Sequence, residues 1–254
     1  MDAERPSQVP FSLVVPTIYG QVIVNRHDIN QTNALFKTGR SIDHAEILLL
    51  SQILAGLGAN LTFIDVGANF GTFSLALAPR VGPAGRVHAF EPQRILFNML
   101  AGTIALNSVT NVHCHHLAVG DREGEIEVPQ FDYHRPLNFG SVEFGPRQRE
   151  PLSQERGNDP ARLETVGLTT LDRFAFPRVD LIKIDAEGME HQVLSGAALT
   201  IERCRPVLFV EHTKAGTEAL RHRLQCLTYQ VHECGPNFLG IPGELASRMT
   251  VRGR

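Results

Sequence analysis

The chain has 254 residues, and 24 Lys and Arg against 27 Asp and Glu leave a net charge of −3. With 43% hydrophobic and 20% charged residues, it has the balance of a soluble globular chain, long enough for one large α/β core and a small extension. The missing basic surplus argues against DNA, tRNA or rRNA as partner, and the irregular spacing of Cys114, Cys204, Cys226 and Cys234 argues against a zinc ribbon or disulfide framework and for reduced, packed thiols.

The N-terminus carries Asp2, Glu4 and early prolines around a short apolar run, which makes a poor signal peptide. Short strands are expected at 12–15 and 21–24, around Pro16 and Gly20. Asp43 is placed to cap a helix reaching about residue 57, with Ile47, Leu50 and Leu54 on one face. Residues 47–64 are uncharged, but Ser51, Gln52, Gly56, Gly58, Asn60 and Thr62 split them into a helix end, a turn and a strand rather than a membrane span. The expected compartment is the cytoplasm, with no membrane partner.

From residue 61 strands and helices alternate. A buried strand at 61–66 precedes a short helix at 72–78, and a second strand at 86–90 precedes a helix that Pro92 opens and Asn107 ends. A third strand is expected at 112–119 and a short one at 125–128. Residues 129–162 are rich in Pro, Gly, Arg and Gln and read as a long loop, of the kind that is either a functional lid or disordered. Thr169 or Thr170 should cap a short helix through Phe174. A fourth strand at 179–184 and a fifth at 207–210 follow, each with a helix after it, and 229–234 with 238–241 read as a hairpin around 235–237. This order predicts a doubly wound, mostly parallel α/β sheet whose ligand lies beyond the carboxyl ends of the strands.

Chemistry is therefore sought just after each strand. The first strand runs into Asp65-Val66-Gly67-Ala68-Asn69-Phe70-Gly71. Gly67 permits a sharp turn and close backbone approach, and Gly71 close packing at the helix start. Asn69 stands where a dinucleotide fingerprint needs glycine. Asp65 would repel phosphates and suits an ammonium or sulfonium instead. The second strand ends at Glu91, 20 residues past Gly71, where a carboxylate can accept two hydrogen bonds from a ribose diol. The fourth strand ends at Asp185, with Glu187 and Glu190 close behind, the last read as an exposed helix-start acid. The fifth ends Glu211-His212. Asp185, Glu211 and His212 could converge, His212 as a general base or the three around a divalent cation, the metal being the less favoured use. His113, His115 and His116 alternate along the third strand and read as packing or solvent residues.

These residues carry a resemblance. Asp65-x-Gly67-x-x-x-Gly71 with Glu91, the stretch Val179-Asp180-Leu181-Ile182-Lys183-Ile184-Asp185-Ala186-Glu187-Gly188-Met189-Glu190, then Pro206–Glu211 and Asn237-Phe238-Leu239, resemble the FkbM family of class I methyltransferases that use S-adenosylmethionine (SAM). The resemblance spans about residues 40–242. It implies a Rossmann-like, seven-stranded sheet with an antiparallel C-terminal hairpin, residues 1–60 as a substrate-side cap and 61–254 as the SAM-binding domain. It implies that Asp65, Gly67, Asn69 and Gly71 line the methionine and ribose part of SAM, that Glu91 holds the ribose, and that Ala118 and Asp121 border adenine. Asn138, Ser141 and Glu187 are the implied acceptor contacts. The implied reaction is O-methylation of a small-molecule or glycosidic hydroxyl. N-methylation, an NAD-dependent oxidoreductase and a non-catalytic binding domain are the competing readings.

Overall fold

The computed structural model describes residues 9–144, 148–155 and 162–246. The chain opens with the hairpin β1 (Ser12–Thr17) and β2 (Gly20–Asn25), then α1 (Gln31–Thr38) and α2 (His44–Leu57). The alternating part runs β3 (Thr62–Val66), α3 (Thr72–Leu77), β4 (Arg86–Phe90), α4 (Arg94–Leu106) and β5 (Val112–His115). Three short strands follow, β6 (Ala118–Val119), β7 (Gly124–Pro129) and β8 (Leu163–Thr169). The chain then forms β9 (Leu181–Ile184), α5 (Glu190–Ser195), α6 (Ala198–Cys204), β10 (Val207–Glu211), α7 (Thr217–Cys226), β11 (Tyr229–Cys234), β12 (Asn237–Pro242) and α8 (Gly243–Ala246).

The main sheet has seven strands in the order β11-β12-β10-β9-β3-β4-β5. β9, β10, β3, β4 and β5 are parallel, and β12 is antiparallel to both β10 and β11. This is the doubly wound sheet with a closing hairpin that the sequence predicts. Its central strands are apolar on both faces because helices cover both: every residue of β9 is buried, as are Phe63, Ile64, Leu208 and Phe209. Full burial of one such side chain contributes about 2–3 kcal/mol. Among the described residues no helix is long and apolar enough to cross a membrane; α2 stops at Leu57 and β3 begins at Thr62.

The structure departs from the sequence reading in several places. The strand expected at 112–119 is two: β5 stays in the main sheet, while β6 pairs with β8 in a separate three-stranded sheet, order β6-β8-β7. β8 lies at the end of the Pro- and Gly-rich stretch, which hid its alternation. A helix absent from the sequence reading, α1, precedes α2. Asp43 occupies the N-cap position of α2, as expected, but its carboxylate makes no cap hydrogen bond and accepts instead from Gln31 and Ser41. The short helix expected through Phe174 is present as a single 3-10 turn, Asp172–Phe174, and Thr170 Oγ1 accepts from its Arg173 N–H at 3.3 Å as a cap; Thr169 ends β8, and Asp172 accepts from the backbone N–H groups of Leu199 and Thr200 at the start of α6 (3.0 and 2.7 Å). The four thiols are free, but Cys226 is exposed rather than packed. The β1–β2 hairpin lies along α4, whose Asn107 and Thr103 side chains accept from the N–H groups of Gln21 and Ile23 (both 2.9 Å) and so complete the open edge of β2.

His88 on β4 joins His113 and His115 on β5 in a stack, its ring centroid 5.0 Å from His113 and 5.5 Å from His115, with Phe176 at 4.7 Å. His88 Nδ1 is 3.2 Å from His115 Nε2. Burial, and then the neighbouring His115 and His113, push His88 down to about 4 from the ordinary 6.5. A lowered folded-state pKa means the neutral ring is the one the fold accepts. Stability is present above pH 6.5 and is lost as pH falls toward 4. Urea titrations between pH 7 and pH 4 should show roughly 2 kcal/mol lost through this site, allowing for its partial exposure. His88→Phe should flatten that slope; an unchanged slope would remove the stack from the account.

Candidate active site

A cleft opens at the carboxyl ends of β3, β4 and β9. Its floor is the turn after β3. Gly67 has φ +76, and a Cβ there would stand 1.8 Å from the carbonyl oxygen of Asp185, so only glycine lets the two strand ends approach this closely. Asn69 also has positive φ, +52, which asparagine tolerates better than most residues, and its Oδ1 accepts from the Phe70 N–H at 2.8 Å. Glu91, 3% exposed, closes the cleft wall after β4. Its Oε2 accepts from the Asn69 N–H (2.9 Å) and its Oε1 from the Gln93 N–H (2.8 Å). Burial raises this carboxyl to about 7 against those two hydrogen bonds.

Ala118, Asp185 and Glu187 also line the cleft. Three other residues with an expected cofactor role stand outside its wall. Asp65 is fully buried; its Oδ2 accepts from Ser74 Oγ at 2.7 Å, and its Oδ1 lies 3.6 Å from Lys183 Nζ. The cation beside Asp65 is thus a lysine of the same chain. Gly71 packs on α4, where an added Cβ would meet Leu100 Cδ1 at 2.6 Å. Asp121 faces an adjoining groove and pairs with Arg122 at 3.2 Å.

The loop after β9 is held from below. Glu190 is fully buried, not the exposed acid of the sequence reading, because its Oε1 turns back to accept from the N–H groups of Ala186 and Gly188 (3.1 and 3.0 Å). Glu187 has φ +51, followed by Gly188 at +96, a left-handed pair that aims Glu187 at the cleft and costs about 1–3 kcal/mol at the non-glycine position. Lys214, after β10, is buried and pairs with Glu187, with Glu150 at 3.6 Å. Burial raises the Glu187 carboxyl, as does Asp185, and Lys214 opposes both; the net shift is upward.

At the end of β10, Glu211 Oε1 accepts from Thr213 Oγ1 at 2.6 Å. Its Oε2 is buried and has no hydrogen-bond partner among the described residues. Burial and then Asp185 push Glu211 up to about 7. Asp185 and Glu211 are therefore electrostatic neighbours. His212 is not part of this group: its Nδ1 is 3.1 Å from Thr217 Oγ1, its Nε2 is 3.1 Å from the Gly235 carbonyl, and its ring stacks on Phe238. With both nitrogens engaged and the ring buried, it ties the β11–β12 turn to β10 rather than facing an acceptor. Among the described residues no group of three or more His, Cys, Asp and Glu is disposed to hold a metal ion.

The turn Phe139–Ser141 covers the cleft from the long loop. Gly140 lines it, while Asn138 Nδ2 donates to Ser141 Oγ at 2.6 Å, so these two side chains brace the turn. The sequence reading missed Lys183, Lys214 and Gln93. Lys183 had a signal: it is the lone charge in the apolar strand Leu181–Ile184, and a buried lysine requires partners. Its ammonium, 4% exposed, sits 3.6 Å from Asp65, 3.5 Å from Asp185 and 3.4 Å from the Gly67 carbonyl, and 5.0 Å over the Phe73 ring.

Residues 65–236 match the Methyltransferase FkbM domain. The chain is 28% identical over 167 residues to Methyltransferase sdnD of Sordaria araneosa, covering 56% of this chain and 62% of that protein. It is 28% identical over 142 residues to Methyltransferase 1 of Beauveria bassiana (strain ARSEF 2860), covering 52% and 57%. The matches span under two thirds of either relative. Among solved structures, the methyltransferase FkbM from Methylobacillus flagellatus KT superposes with a TM-score of 0.49 at 18% identity, over 72% of this chain and 44% of that one. With the family match extending from Asp65 through β12's approach, the chain belongs to the FkbM methyltransferase domain family.

Proposed function

We propose that this chain is a SAM-dependent methyltransferase acting on a hydroxyl of a small polar acceptor, such as a sugar or a natural product. The observation that carries the reading is the cleft itself: a Gly67 floor without room for a Cβ, beside a buried Glu91 whose two oxygens are oriented by backbone N–H groups. A carboxylate offers about four lone-pair sites, so Glu91, with two in use, keeps capacity for a ribose hydroxyl. Ala118 and Met189 provide apolar surface for a purine. The residues present therefore fit the cofactor: an acceptor for the ribose, a close-approach glycine turn and apolar surface line one cleft.

Bound SAM supplies an electrophilic methyl on a sulfonium. The protein's part is to align the acceptor oxygen with it, which is worth much of the rate, and to take the proton that the oxygen releases. Glu211 suits that second task. It is next to Asp185 at the open end of the sheet, it has an unpartnered oxygen, and its pKa near 7 allows it to accept a proton at working pH. Asp185, at the cleft wall, and Glu187, held by Lys214, flank the acceptor side. An oxygen nucleophile needs this help more than an amine does, which is why the acids favour a hydroxyl.

The test is calorimetric titration of the chain with SAM and S-adenosylhomocysteine, followed by mass spectrometry of products from a panel of hydroxylated and aminated acceptors. Micromolar binding and base-stable O-methyl products are expected. Binding of NADH without binding of either SAM species would overturn the reading, and N-methyl products alone would overturn its oxygen assignment. With an acceptor in hand, Glu211→Gln should lower kcat by roughly 100-fold, within the range of general-base contributions, while leaving SAM affinity within about twofold. Unchanged kcat would remove Glu211 from proton transfer.

A further inference from the structure

Resting on the SAM reading, we propose that Gln93 is a second ribose-recognition residue, its amide oxygen accepting one hydroxyl of the cofactor diol beside Glu91. Gln93 is 2% exposed and lines the cleft. Two of its polar groups are held by neighbours. Its backbone N–H donates to Glu91 Oε1 at 2.8 Å, and both residues line the same cleft. Its Nε2 donates to the Phe139 carbonyl at 2.8 Å. A carbonyl can only accept, so the amide orientation is set by chemistry: the nitrogen faces Phe139, and Oε1 faces away from it.

That oxygen is buried and has no hydrogen-bond partner among the described residues. A buried acceptor is costly unless a donor reaches it. Glu91 in its ionised form, the one that its two backbone N–H donors favour, can only accept and does not serve as that donor. A vicinal diol can, because it brings two O–H donors to two adjacent acceptors. Glu91 then takes one hydroxyl and Gln93 the other, and the pair reads a ribose against a deoxyribose. Because Nε2 also supports the Phe139–Ser141 turn, the same side chain joins the cofactor wall to the cover of the cleft.

The test compares S-adenosylhomocysteine with its 2′-deoxy and 3′-deoxy analogues by titration calorimetry on the full chain, in wild type and in Gln93→Leu. Wild type should lose affinity for both analogues. Gln93→Leu should bind S-adenosylhomocysteine about tenfold more weakly, and one of the two analogues should be nearly indifferent to the substitution. That selective loss is a coupling a purely structural role would not produce. An equal loss for all three ligands overturns the assignment of Gln93 and leaves the SAM reading intact. If wild type binds none of the three, both fall. If Gln93→Leu does not fold, Gln93→Asn, which keeps the amide but shortens its reach, is put through the same comparison and read the same way.

Discussion

Gly67→Ala will abolish S-adenosylhomocysteine binding and cost about 3 kcal/mol of stability. Two independent penalties add at this position. A non-glycine residue in a left-handed conformation costs roughly 1–2 kcal/mol, and Gly67 has φ +76. Overpacking costs a further 1–3 kcal/mol, because the new Cβ would stand 1.8 Å from a backbone oxygen, that of Asp185, which cannot rotate away. Relief requires β3 and β9 to separate at their carboxyl ends, and the cleft is built on that junction. Other glycines supply controls. Gly39 has φ +66 but nothing within 4 Å of its would-be Cβ, so Gly39→Ala should show the conformational penalty alone, near 1 kcal/mol. Gly71→Ala meets the mobile end of Leu100 and should fall between the two. Urea unfolding of the three variants, with titration of each, checks the ordering. Intact binding in Gly67→Ala would mean that the turn can move without disturbing the cleft.

The turn is also where the sequence was most legible. Gly67, Glu91 and Asp185 each follow a β-strand whose apolar run is plain, and the doubly wound order sends all three strand ends to one side of the sheet. Their meeting in one cleft follows from period and connection alone. What could not be read is how side chains divide their partners. Asp65 looks free to meet a cationic ligand because nothing local shows that Lys183, 118 positions away, fills that role. His212 looks catalytic by its place after Glu211, but its ring is taken by Thr217 and by Gly235 across a turn. Glu190 looks exposed by composition and is buried by the loop it supports. Each reversal is a long-range or loop-level hydrogen bond, which hydrophobic periodicity does not encode. β8 was lost for a different reason: its alternation is short and begins where the Pro- and Gly-rich stretch ends.

Lys183→Met should be the most destabilising side-chain deletion in the sheet, at about 3–5 kcal/mol, the cost of leaving a buried charge without its partner. Asp65 has no contact with water, and its remaining donor is Ser74. A double variant, Asp65→Asn with Lys183→Met, removes both charges and keeps an acceptor for Ser74, so it should recover most of the loss; a double-mutant cycle in urea measures the difference. The pH dependence gives an independent check. Burial raises the Asp65 carboxyl, and Lys183 is the main opposing influence. With methionine at 183 that opposition is gone, and the folded-state pKa rises further above the unfolded value. A raised folded pKa means that stability is present below the unfolded pKa and is lost as pH rises through the folded one. The deficit of Lys183→Met should therefore shrink as the solution is made acidic, while the double variant, with no carboxyl left at position 65, should show a much shallower change against wild type, the remainder coming from the raised Asp65 of wild type and from Asp185. A single-variant deficit that does not change with pH would show that Lys183 stabilises the sheet through its packing on Phe73 rather than through Asp65.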